Sequence, residues 1–85
     1  MTGSPPHSVL YIDDESALLD LGKLFLERTG EFKVEIETEP EKGLLDLLNG
    51  SYDAVISDYQ MPGMNGIELL KAIRAAGCPI PFIIF

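Results

Sequence analysis

Two short apolar runs that each end in acids constrain this 85-residue chain more than any other feature. The first is Ser8 to Ile12 (SVLYI), followed by Asp13, Asp14 and Glu15; the second is Ala54-Val55-Ile56-Ser57, followed by Asp58. A compact apolar run without alternation is what a strand covered on both faces requires, and such strands belong to parallel sheets flanked by helices. Between and after these runs the apolar residues return at helical spacing. The alternation of β-type and helical segments predicts an α/β fold on a parallel sheet.

The remaining segments fill in that frame. Ser16 to Arg28 reads as an amphipathic helix, with Leu18, Leu21, Phe25 and Arg28 at helical intervals beside Leu24 and Leu26, and with Gly30 as its stop. Phe32 to Glu37 alternates strictly between apolar and charged residues, the mark of an edge strand with one wet face. Thr38 or Glu39 before Pro40 opens a second helix, whose apolar side carries Leu44, Leu45, Leu47 and Leu48 and which Asn49-Gly50 breaks. After Asp58 comes a loop of turn formers, and Asn65 is placed to cap a third helix with Ile67, Leu70 and Ile73 or Arg74 along one side, ended by Gly77. Pro79-Ile80-Pro81 then leads into an apolar fourth strand, Phe82 to Phe85. No repeat, linker or low-complexity tract interrupts this order.

Charge narrows the function. Fourteen acidic residues against six basic ones give a net charge of −8, which argues against a nucleic-acid or anionic-membrane surface, since both demand clustered Lys and Arg. Glu31, Glu35, Glu37, Glu39 and Glu41 read as a solvated surface around one strand and turn. Cys78 is the single cysteine and lacks a partner for a disulfide; it reads as a structural thiol before Pro79. His7 has no ligand-like spacing to any other residue. No apolar run approaches the ~20 residues of a membrane span. Residues 1–7, polar and proline-containing, read as a flexible leader rather than a signal peptide, so a cytoplasmic protein is expected. Asn49-Gly50-Ser51 matches the glycosylation pattern but reads as a turn.

In a parallel sheet all strands finish at the same edge, and ligands bind outside their carboxyl ends where strand order reverses. If the two acid-tipped strands are neighbours, Asp13, Asp14 and Asp58 converge. Like charges ~4 Å apart repel by about 1 kcal/mol in water and about 4 at an effective dielectric of 20, and a bound cation is the usual relief. Oxygen-only donors with no His or Cys nearby favour a hard ion such as magnesium. The plainer alternative is that strand-end acids cap the helices that follow them.

The run Leu10-Tyr11-Ile12-Asp13-Asp14-Glu15 and the run from Asp53 through Ser57-Asp58-Tyr59-Gln60-Met61-Pro62-Gly63-Met64-Asn65-Gly66 resemble those of bacterial and archaeal receiver domains, the phosphorylated modules of two-component response regulators. The resemblance covers Ser8 to Phe85, so residues 8–85 are expected to be a receiver domain. It implies a doubly wound sheet with the flavodoxin-like strand order 2-1-3-4. It further implies that Asp58 is the phosphoacceptor, taking a phosphoryl group from a sensor histidine kinase or phosphotransfer protein. Asp13, Asp14 and Asp58, with the backbone carbonyl of Gln60, would hold Mg2+ or Mn2+. The Gln60 side chain would tune hydrolysis, and Pro62 and Gly66 would shape the loop after the acceptor.

Receiver domains also place a Ser or Thr at the end of the fourth strand and a Lys at the end of the fifth, and this chain ends at Phe85, ahead of both. Lys23, Lys33, Lys42 and Lys71 lie on helices or the edge strand. By the family pattern the fifth strand and last two helices are missing from this chain, so the fourth strand is expected to keep an open apolar edge that invites self-association. Two other functions compete with phosphoacceptance. One is a receiver-like interaction module that is never phosphorylated. The other is a metal-dependent phosphatase with an aspartyl nucleophile, which would carry a second acid two residues after it; that position here is Gln60.

Overall fold

The computed structural model describes residues 6–85, and its order of elements is β1 (His7–Ile12), α1 (Ser16–Glu27), β2 (Phe32–Glu37), α2 (Pro40–Asn49), β3 (Ala54–Ser57), α3 (Gly66–Ala75) and β4 (Phe82–Ile84). All strand pairings are parallel, and the sheet runs β2-β1-β3-β4 as expected. Register is set by Val9 opposite Val34, Ile12 opposite Ser57, and Ser57 opposite Ile84. The order reverses at β1, whose neighbours on its two sides are β2 and β3.

The pleat sends alternate residues of each strand to opposite faces. Leu10, Ile12 and Val55 point to one face and pack with Leu47, Leu69, Ile73 and Ile80 under α2 and α3. Val9, Tyr11 and Val34 point to the other and pack with Leu19 of α1. Burying β1 on both sides explains its unbroken apolar run. At the outer edge, β2 alternates as expected only over its first half: Val34 is buried between exposed Lys33 and Glu35, but Ile36 is exposed and Glu37 half-buried. The Val34 N–H, which faces away from β1, is not left bare, because it donates to the Glu27 carboxylate of α1 at 2.8 Å.

Helix ends follow the signals in the chain. Asn65 and Glu68 form a reciprocal capping box at α3, with Asn65 Oδ1 accepting the Glu68 N–H at 2.8 Å and Glu68 Oε1 accepting the Asn65 N–H at 2.9 Å. Pro40 stands in the first turn of α2. Gly30 and Gly77 end the turns after α1 and α3 at φ of 76° and 84°, a region open to glycine.

Two expectations are corrected. The strand begins one residue earlier than expected: His7 belongs to β1 rather than to a leader, because its N–H donates to the Glu31 carbonyl at 2.8 Å and extends the pairing with β2. The rest of the expected leader, residues 1–5, lies outside the described residues. The buried faces of the helices are also phased differently. In α1 the residue facing the sheet is Leu19, with Gly22 and Leu26 partly covered, while Leu18, Leu21, Leu24 and Phe25 stay exposed. In α3 Gly66, Leu69 and Ile73 are buried, so Ile73 faces inward as expected while Ile67 is exposed; in α2 Leu47 is buried and Leu44 half-buried, as expected, while Leu45 and Leu48 are exposed. Helices with apolar residues on two flanks cannot be phased by spacing alone.

Candidate functional site

Strand pairing brings the acids together. Beyond the Ile12–Ser57 pair the ladder runs one step further, with the Asp58 N–H donating to the Ile12 carbonyl at 2.9 Å. On the other side, the Asp13 N–H donates to the Glu37 carbonyl at 3.2 Å. The first residues past two neighbouring strands are therefore held side by side at the carboxyl edge. One carboxylate oxygen from each of Asp13, Asp14 and Asp58 lies within 4.8 Å of the others.

The three acids differ in setting. Asp13 is fully buried, Asp58 is half-buried and Asp14 is exposed. Asp13 Oδ1 accepts the N–H of Glu15 at 3.0 Å, but Oδ2 is buried with no hydrogen-bond partner. Burial holds the Asp13 carboxyl above its ordinary value; the Glu15 N–H opposes this, and the neighbouring Asp58 and Asp14 carboxylates add to it. A buried, unpaired carboxylate oxygen is costly unless a donor or a cation meets it. The all-oxygen donor set, the close grouping and this orphaned atom together fit a hard divalent cation. They fit helix capping less well, since Asp13 holds one N–H with one oxygen and has the other to spare.

An open crevice of about 860 Å³ lies over these acids, lined by Asp14, Glu15 and Asp58 on the sheet side and by Tyr59, Gln60, Met61, Pro62 and Asn65 from the following loop. Gln60 and Pro62 are exposed at its wall. Gly66 does not line the crevice; it is buried behind the loop, with its N–H donating to the Tyr59 carbonyl at 2.8 Å. The loop is thereby pinned at both ends. Reading the chain alone missed Phe85 at the crevice wall, whose carbonyl accepts the Tyr59 N–H at 2.8 Å. It also missed Ser57, whose Oγ donates to the Asp58 carbonyl at 2.9 Å; a hydroxyl in an otherwise apolar strand was the available signal.

The family model for the response regulator receiver domain matches residues 9–85. The chain belongs to that family. Among relatives, the transcriptional regulatory protein FixJ of Bradyrhizobium diazoefficiens is 39% identical over 77 residues, covering 89% of this chain and 37% of FixJ. CpxR of Escherichia coli K12, also a transcriptional regulatory protein, is 41% identical over 68 residues, covering 80% of this chain and 28% of CpxR. Among solved structures, the receiver domain of the Francisella response regulator 1452 superposes with a TM-score of 0.87 at 28% identity, covering 92% of this chain and 64% of that one. The chain thus spans roughly a third of the length of these two regulators and about two-thirds of that receiver domain. Receiver-family membership accounts for both the sheet order and the acid cluster. No helix among the described residues is long and apolar enough to cross a membrane.

Proposed function

We propose that this chain is the phosphoacceptor module of a cytoplasmic two-component response regulator, and that Asp58 receives the phosphoryl group. In this reaction a carboxylate oxygen of Asp58 attacks the phosphorus of a phosphohistidine on a sensor kinase or phosphotransfer protein. The P–N bond breaks with its electron pair returning to the imidazole nitrogen, and an acyl phosphate forms on Asp58.

What supports this reading most is the convergence of three carboxylates at one sheet edge with a buried Asp13 oxygen left unpaired. Asp13, Asp14 and Asp58, with the Gln60 backbone carbonyl, would hold the ion. Mg2+, or Mn2+ in its place, supplies neutralisation of the negative charge that otherwise separates acceptor and phosphoryl oxygens. The protein's own contribution is position. β1 and β3 fix Asp13 and Asp58 side by side, the pinned loop keeps Gln60 and Pro62 at the crevice wall, and the openness of the crevice admits a protein donor. Half-buried Asp58 presents an oxygen to that crevice, while the Gln60 side chain stands where it can govern water near the acyl phosphate. Pro62 and Gly66 shape the loop. Phosphatase turnover of outside esters is disfavoured, because the residue two past Asp58 carries an amide and not a general acid.

The test is to incubate the intact protein with Mg2+ and acetyl phosphate and to follow its mass. A gain of one phosphoryl group in the wild type, absent from Asp58→Asn and absent after chelation, is expected. An unmodified wild-type protein, or an Asp58→Asn variant that is still labelled, overturns the reading in favour of an unphosphorylated interaction module.

A further inference from the structure

β3 carries aliphatic side chains at every position but its last. Ala54 and Ile56 face α1, and Val55 faces α2 and α3. Ser57, on the same face as Val55, puts a hydroxyl into a fully buried site. An aliphatic residue would suit the layer formed by Leu10, Ile12 and Val55 at least as well. The reason for the hydroxyl lies in what it touches.

Ser57 Oγ donates to the backbone carbonyl of Asp58 at 2.9 Å, and no other described donor reaches that oxygen. At the far end of the same peptide unit, the Tyr59 N–H donates to the Phe85 carbonyl at 2.8 Å. Gly66 closes the remaining side, since a Cβ added there would stand 2.7 Å from the Asp58 carbonyl oxygen. The Asp58–Tyr59 peptide plane is therefore clamped by a hydroxyl, a carbonyl and a bare Cα. That plane sets the backbone torsions on both sides of it. It fixes the base of the Asp58 side chain and the start of the loop that carries Gln60 to the crevice.

We infer that Ser57 is a positioning residue for phosphoryl transfer, aligning the Asp58 carboxylate through the hydrogen bond from its hydroxyl to the Asp58 carbonyl. The inference rests on Asp58 being the acceptor. Without the hydroxyl, the peptide can tilt about its Tyr59 anchor and the carboxylate samples orientations away from in-line attack, which slows transfer even where the metal site is saturated.

The experiment measures the rate of Asp58 phosphorylation by acetyl phosphate in the intact protein at saturating Mg2+, well below the unfolding midpoint of every variant. Loss of one positioning hydrogen bond predicts that Ser57→Ala is slower by roughly five- to tenfold. Ser57→Thr, which keeps the hydroxyl, should recover most of the rate, whereas a merely structural role would leave the rate at saturating Mg2+ unmoved. If Ser57→Ala does not fold, Ser57→Cys, close in volume but a weak donor, carries the same expectation. A rate in Ser57→Ala or Ser57→Cys equal to wild type, or a Thr variant as slow as Ala, overturns the inference while leaving the acceptor reading intact. A wild type that takes no phosphoryl group removes both.

Discussion

Gly66 sits so close behind Asp58 that a methyl group on it would stand 2.7 Å from the Asp58 carbonyl oxygen and 3.3 Å from Tyr59 Cα. Both obstacles are backbone, so neither can swing aside. Gly66→Ala must move the loop or the strand end, and overpacking of this kind costs about 1–3 kcal/mol. In a domain of this size each 1 kcal/mol moves Tm by roughly 4–8 °C. The expected result is a lowered Tm together with slower phosphorylation of Asp58. Thermal melts and the acetyl phosphate assay check it; an Ala variant with wild-type Tm and rate would show that the close approach is relaxed in solution.

Asp13 predicts a pH dependence for the metal-free protein. Its carboxyl is raised above 3.8, first by burial, against the Glu15 N–H and with the help of Asp58 and Asp14. A group that holds its proton more tightly when folded stabilises the fold fully below the unfolded value of 3.8 and loses that contribution as pH climbs through the raised folded value. At neutral pH the ionised Asp13 is then a burden unless a cation offsets it. In chelator, the Tm of Asp13→Asn relative to wild type should rise as pH increases from 3.8 toward neutrality. Added Mg2+ should reverse the order, because a ligand at 100 times its Kd stabilises by about 2.7 kcal/mol and Asn binds it poorly. Melts across pH with and without Mg2+ decide this, and a difference between the two proteins that is flat with pH would refute it.

The acid cluster was legible in the chain because a strand's last residue has only one place to go. Asp13 and Asp58 follow apolar runs whose parallel pairing leaves no freedom beyond the register, and that register sets Ile12 opposite Ser57. Strand order and the α3 cap at Asn65 were legible for similar reasons, one from motif resemblance and one from local hydrogen-bond chemistry. Helix phase was not. In α1 the flank of Leu19, and not that of Leu18, Leu21 and Phe25, is turned inward, and with it Gly22 comes to lie against the ring of Tyr11, an approach that exists only once the helix is on the sheet. The clamp on Asp58 was likewise hidden, since its partners Ser57, Gly66 and Phe85 come from three separate elements or loops.

Gly22 gives a sharper test of that phase. A Cβ on Gly22 would run into the Tyr11 ring, which is itself backed by an edge-on contact with the Phe85 ring at 6.0 Å between centroids. Gly→Ala in a helix interior ordinarily stabilises by about 1 kcal/mol, and overpacking a buried ring costs about 1–3 kcal/mol. The collision should win, so Gly22→Ala is expected to lower Tm. Combining it with Tyr11→Val, which removes the ring, should be less destabilising than the two single changes added together. A double-mutant cycle by thermal or urea unfolding measures this. Strict additivity would mean that α1 does not press on Tyr11.

The face that α1 turns away from the sheet makes the last prediction. Leu21, Leu24 and Phe25 are 50–61% exposed, and on the α1 side of the sheet, at its β4 edge, Ile83 and Phe85 are 56% and 55% exposed with no described helix over them. The bonding pattern of β4, in which Pro81 O, Phe85 N and Phe85 O face β3, turns the peptide groups of Phe82 and Ile84 outward as an unpaired edge. A second copy of the 85-residue chain can cover apolar surface and pair that edge at once. Opposing it is the net charge of −8 on each copy, whose repulsion is screened over about 8 Å at physiological ionic strength. Self-association should therefore grow with both protein concentration and salt, and Ile83→Lys, which puts charge into the face and beside the edge, should shift the population toward monomer. Light scattering over a salt series reads this out. A chain that stays monomeric throughout and still unfolds cooperatively would show that the exposed face needs no cover.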